Sequence, residues 1–142
     1  MNLMKQTTRY SIRQLSNIPD IQYVMNSPFA CNMTALDKQQ RDRHTALANS
    51  LFHVVHEIKE LKNGYAFLLS ANSDHLLITA EFIFLERLCC PFFNFNIELT
   101  SGNNTFLFSI TGDEGIKPFI IAELGVHFPK PLLQSYQAYN PR

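Results

Sequence analysis

The sequence predicts an α+β fold: one domain with a small antiparallel sheet and helices packed on it. Three observations predict it. Apolar residues recur at helical spacing over 34–61 and again over 74–88. Residues 93–100 and 105–111 instead alternate apolar and polar, with Ser101-Gly102-Asn103-Asn104 between them, as a β-hairpin does. The chain has 142 residues, the length of one domain. The order is arm, α, β, α, β, β, α, tail, which suits an antiparallel sheet covered by helices on one face. The boundaries are an arm over 1–33, a core domain over 34–125 and a tail over 126–142.

In the arm, Ile12, Leu15, Ile18, Ile21 and Val24 recur every three residues, interrupted by Pro19 and Pro28. This reads as an extended or partly helical segment ending at Cys31. The first helix is expected from Thr34 to Leu61. Thr34 is its cap, with Asp37 three residues on. Leu47, Leu51, Val54, Val55, Ile58 and Leu61 form its stripe, and Asn63-Gly64 ends it. Tyr65 to Ser70 reads as a strand. Asn72-Ser73-Asp74 then offers caps for a second helix to about Leu88, stopped by Pro91. That helix is apolar nearly all round, so it is expected inside the domain or at a subunit interface, which leaves a homodimer open. Phe93, Phe95, Ile97 and Leu99 share one face of the third strand, and Phe106, Phe108 and Ile110 one face of the fourth. A final helix runs to about Leu124, with Pro118 in its tolerant first turn and Gly125 at its end.

Composition narrows the function classes. Twelve basic residues balance twelve acidic ones, spread over both halves of the chain. Nucleic-acid binding rests on clustered Lys and Arg, so none is expected. No stretch approaches the run of about 18 apolar residues that a membrane helix requires, and residues 1–10 lack a signal peptide's apolar core. Three cysteines, two of them adjacent, make a poor disulfide framework and suit the reducing cytoplasm.

The segment with chemical character is Glu86-Arg87-Leu88-Cys89-Cys90-Pro91-Phe92-Phe93. A disulfide between adjacent cysteines is strained, so a reduced pair is the default. Glu86 precedes the thiols by three and four residues and shares their helical face. Its charge and the negative end of the helix dipole both raise a thiol pKa, a poor setting for a nucleophile. A bound soft ion would still deprotonate the thiols. Cys31 is the natural third thiol, just before a helix N-terminus that favours thiolate. Three converging thiolates suit zinc, mercury or trivalent arsenic. Equally, the cysteines are small core residues, and a separation of 58 residues does not show that Cys31 and Cys89 meet.

His53 and His56 stand three apart on the expected helix, where such a pair can clasp a metal, although the spacing is not H-E-x-x-H. His56 lies between the core positions Val55 and Ile58, while His44 and His75 read as solvated. Thr111 to Lys117 reads as a strand-to-helix turn with acidic capping, because Asp113 and Glu114 would repel a phosphate. Glu81, the odd residue in the apolar helix, is expected to pair with Arg87 or Arg41.

Cys31 before a helix, Asn63-Gly64-Tyr65-Ala66-Phe67, Glu86 to Phe95 and Ile110 to Ile120 together resemble a family of small uncharacterised bacterial proteins with an E-R-x-C-C-P-F signature. The resemblance covers roughly residues 30–124. It implies an association with heavy-metal resistance, and that Cys31, Cys89 and Cys90 form the functional set.

Three functions follow as expectations. The first is a cytoplasmic thiol protein that binds a soft metal or metalloid ion for detoxification or sensing. Cys31, Cys89 and Cys90 are its ligands, Glu86 or His56 a supporting group, zinc or another thiophilic ion the cofactor, and Phe92, Phe93 and Phe95 the dry wall. The second is a thiol-dependent redox protein or enzyme in which Cys31 attacks and Cys89 or Cys90 resolves. The third is an interaction module or homodimer with core cysteines.

Overall fold

A computed structural model describes residues 29–130 and Leu132. The readings of the arm up to residue 28 and of most of the tail lie outside the described residues. Within them the elements are α1 (Lys38–His53), β1 (Glu57–Leu61), β2 (Gly64–Ser70), α2 (Ser73–Cys89), β3 (Asn94–Leu99), β4 (Thr105–Thr111) and α3 (Ile116–Leu124). Single 3-10 turns at Met33–Ala35 and Gly125–His127 flank the helices.

The first helix is shorter than its spacing suggested. Asp37, not Thr34, caps α1, in a reciprocal capping box with Gln40. The helix stops at His53, and Glu57–Leu61 forms a strand. Beyond Phe52 the sequence is rich in β-branched residues, and Glu57-Ile58-Lys59 alternates as an edge strand does. Asn63-Gly64 is therefore no helix terminus. Lys62 and Asn63 make a two-residue hairpin loop, with Leu61 opposite Gly64. Glycine at 64 serves a close approach, since a Cβ there would overlap the Ile110 carbonyl of β4.

The four strands are antiparallel in the order β1-β2-β4-β3. Their register places Ile58, Phe67, Phe108 and Ile97 in one row and Tyr65, Ile110 and Phe95 in the next. All three helices pack on this face. Phe52 of α1 meets Phe67 with ring centroids 5.2 Å apart, Phe82 of α2 meets Phe108 at 6.3 Å, and Lys117 of α3 lies 5.5 Å over the Tyr65 ring. The other face carries the exposed Glu57, Lys59, Asn96 and Glu98 around the half-buried Leu68 and Leu107. Charge along β1 protects an edge that could otherwise pair with another chain.

α2, capped by Asn72, buries Thr79, Phe82, Leu85, Glu86 and Cys89. Its other side exposes Leu77, Phe84 and Leu88. One contact brings the start of the domain to this helix's end. The Asn32 N–H donates to the Cys89 carbonyl at 2.7 Å, which sets Cys31 beside Cys90.

Candidate functional site

α2 ends in the sequence that builds the site. Cys89 is its last residue and Cys90 its C-cap, whose N–H donates to the Glu86 carbonyl at 2.7 Å. Pro91 follows and prevents another turn. Glu86 lies one turn back on the inner side, 1% exposed. From α1, His44 reaches across and its Nε2 meets Glu86 Oε1 at 2.5 Å. The imidazole also stacks on Phe82, 5.5 Å between centroids. The pair thus joins two helices inside the protein, where a carboxylate needs such a partner.

Cys31 and Cys90 are joined by a disulfide, with Cα atoms 4.6 Å apart. The expectation of reduced thiols is corrected here. Strain argues only against a bond between the neighbours Cys89 and Cys90, and the fold supplies Cys90 with a distant partner. The three-thiolate set expected from the sequence is therefore not assembled in this oxidised form. Cys89 keeps its thiol, fully buried. Its sulfur lies 3.6 Å from the Glu86 carbonyl, 3.7 Å from the Leu85 carbonyl and 3.7 Å from the Cys90 sulfur. Burial, then the charge of Glu86, push this thiol up to about 12. Cys89 is thus no activated nucleophile, in keeping with its place at a helix C-terminus.

Glu86 is the hub. One donor set is Cys31, Glu86 and Cys90; the other is His44, Glu86 and Cys89; within each, the ligand atoms lie within 4.8 Å of one another. Cys31, Glu86 and Cys90 also wall a small cavity of about 50 Å³, whose other lining residues include Met33, His44, Glu123 and His127. That space admits a single ion or a few waters. Aromatic rings flank the disulfide in sequence and pack together. Phe92 lies 5.1 Å from Phe29, 5.0 Å from Phe93 and 5.3 Å from Phe119.

The structure moves two histidines. His44, read as solvated, is the buried partner of Glu86. Its signal was present in the sequence, because 44, 47, 48 and 51 form one helical stripe and the last three are core. His56, expected to support the cysteines, is exposed and bonds Ser70 Oγ at 2.9 Å. With α1 ending at His53, the two histidines no longer share a helix. His75 is half-buried, its Nδ1 3.0 Å from the Ser70 carbonyl.

Glu81 pairs with Arg43 rather than Arg87 or Arg41, through two bonds of 2.6 and 2.8 Å. Arg43 holds the Glu81 carboxyl below its ordinary range. Arg41 instead donates to the Leu36 carbonyl at 2.6 Å. The turn before α3 has no acidic side-chain cap. Gly115 takes the capping position at φ 93°, a conformation suited to glycine.

No family model, curated protein or solved structure matches this chain.

Proposed function

We propose that this protein is a cytoplasmic binder of a soft metal or metalloid ion, and that reduction of Cys31–Cys90 assembles its ligand set. The observation that carries the reading is the sharing of Glu86 between two donor sets, one with Cys31 and Cys90 and the other with His44 and Cys89. Reduction adds two electrons and two protons and gives three thiols within one buried cluster. Thiolates select thiophilic ions such as zinc, mercuric ion or arsenite. Glu86 or His44 completes the shell, His44 taking the part the sequence assigned to His56. Because Cys89 ionises only near pH 12 by itself, the ion must displace its proton, and uptake releases protons. The resemblance to E-R-x-C-C-P-F proteins supports the same set.

Native mass spectrometry tests this. The reduced protein should retain one zinc, mercuric or arsenite ion per chain, the Cys31→Ser and Glu86→Gln variants should retain it more weakly, and the oxidised protein should retain none. A reduced protein that keeps none of the three ions overturns the reading, as does equal binding by the oxidised form.

A second reading rests on the disulfide itself: a redox protein that cycles between the Cys31–Cys90 bond and two thiols. Iodoacetamide labelling of the reduced protein against pH separates the two. A Cys31 that ionises well below the ordinary thiol range favours redox cycling, whereas sluggish labelling at all three thiols counts against it.

A further inference from the structure

A second, open groove lies against the buried site. It has a volume of about 480 Å³, and Asn49, Ser50, His53, Val126, His127 and Pro129 line it. His127 also lines the small cavity that holds Cys31 and Cys90, so the groove and the disulfide cavity share one lining residue. Its Nδ1 meets Asn49 Oδ1 at 2.7 Å. α1 runs past both spaces: His44 and Thr45 line the cavity, and Asn49, Ser50 and His53 line the groove. At about 1.5 Å of rise per residue, Thr45 and Asn49 are roughly 6 Å apart along the helix.

We infer that this groove binds a low-molecular-weight thiol, the electron donor that reduces Cys31–Cys90. The inference rests on the reading of that bond as the gate to the ion site. The sizes suit a small donor. Cys31 and Cys90 are 3% and 2% exposed, so the end of a donor that reaches their sulfurs must be narrow. A groove of about 480 Å³ holds the body of a cysteine-containing peptide of a few residues, while the cavity of about 50 Å³ takes its CH2–SH end. The amide, hydroxyl and imidazole groups of Asn49, Ser50 and His53 suit the amides and carboxylates of such a molecule.

The chemistry balances with two thiols. The first, as thiolate, attacks one sulfur of the Cys31–Cys90 pair. A mixed disulfide forms, the protein bond breaks, and its electron pair stays on the other cysteine's sulfur. A second thiol attacks the donor's sulfur in the mixed disulfide and leaves with it as a small-molecule disulfide. The two protons of the donor thiols end on Cys31 and Cys90.

The test follows disulfide reduction alone, with no metal added, so it does not depend on ion binding. Reduced glutathione is varied, the reaction is quenched with an alkylating agent, and the alkylated chains are counted by mass. The rate should saturate with glutathione. Asn49→Ala and His53→Ala, both exposed positions, should raise the half-saturating concentration at least fivefold and leave the maximal rate within twofold. A rate that rises linearly with the same slope in all three proteins overturns the proposal, as does a saturation curve that neither variant moves.

Discussion

Reduction should cost this protein much of its stability, and a bound ion should return it. Cys31 and Cys90 are 59 residues apart in sequence, so their bond closes a long loop in the unfolded chain. In the chain-entropy account a loop of that length is worth about 4 kcal/mol at 25 °C. For a chain of this size, 1 kcal/mol moves the melting temperature by roughly 4 °C, so reduction should lower Tm by roughly 15 °C. An ion that binds only the folded, reduced form adds RT ln(1 + [L]/Kd), or about 4 kcal/mol at a thousandfold excess over Kd. The two terms are of one size. Far-UV circular dichroism melts of oxidised protein, reduced protein and reduced protein with zinc check the sequence of events. The expected order is a high Tm, a low one, and a recovery most of the way to the first, with no effect of zinc on the oxidised form. Oxidised and reduced melts within about 3 °C of each other would show that the bond does not constrain the chain as argued. Equal stabilisation of both forms by zinc would place the ion elsewhere.

His44→Ala should cost about 3 kcal/mol in urea denaturation, because it leaves the buried Glu86 without its imidazole partner; a change under about 0.5 kcal/mol, the scale of an ordinary surface substitution, would mean that Glu86 is hydrated in place. Cys89 supplies a pH dependence. Its folded pKa of about 12 lies above the ordinary thiol value of 9.0, so its contribution is fully present below pH 9 and is lost progressively as pH rises towards 12, where the unfolded chain ionises and the folded one does not. Chemical denaturation between pH 8 and 11 should therefore show a steeper alkaline loss in the wild type than in Cys89→Ser, and parallel curves would refute a thiol held neutral by burial.

Strands β2, β3 and β4 and helix α2 were legible because local signals there agree. Alternation fixes which residues of β3 and β4 face inward, and Asn72 both reads as a cap and is one. The α1–β1 boundary was not legible, because Leu47, Leu51, Val54, Val55, Ile58 and Leu61 fit a helical stripe although Ile58 and Leu61 belong to a strand. Asn63-Gly64 deepened the error, since the same dipeptide closes helices and hairpins. The misplacement of His56 followed directly from that overrun. Glu86 was legible from its spacing to the thiols. His44 was not paired with it, because 42 residues separate them and only the packing of α1 on α2 brings them together. The Cys31–Cys90 bond has the same cause. It depends on Asn32 docking against the end of α2, a contact that no local pattern encodes.

Gly64 bears on how the sheet finds its alignment. In the native register it faces Thr111, where β4's backbone leaves no room for a Cβ. Sliding β2 along β4 by two residues keeps every apolar side chain on its own face, so hydrophobic burial alone tolerates that error. The slip would bring either Lys62 or Ala66 opposite Thr111, and each has the Cβ that this position rejects. The missing side chain thus acts as a key for one notch: with β4 held on its native path, either slipped pairing sets a Cβ against the backbone that Gly64 clears.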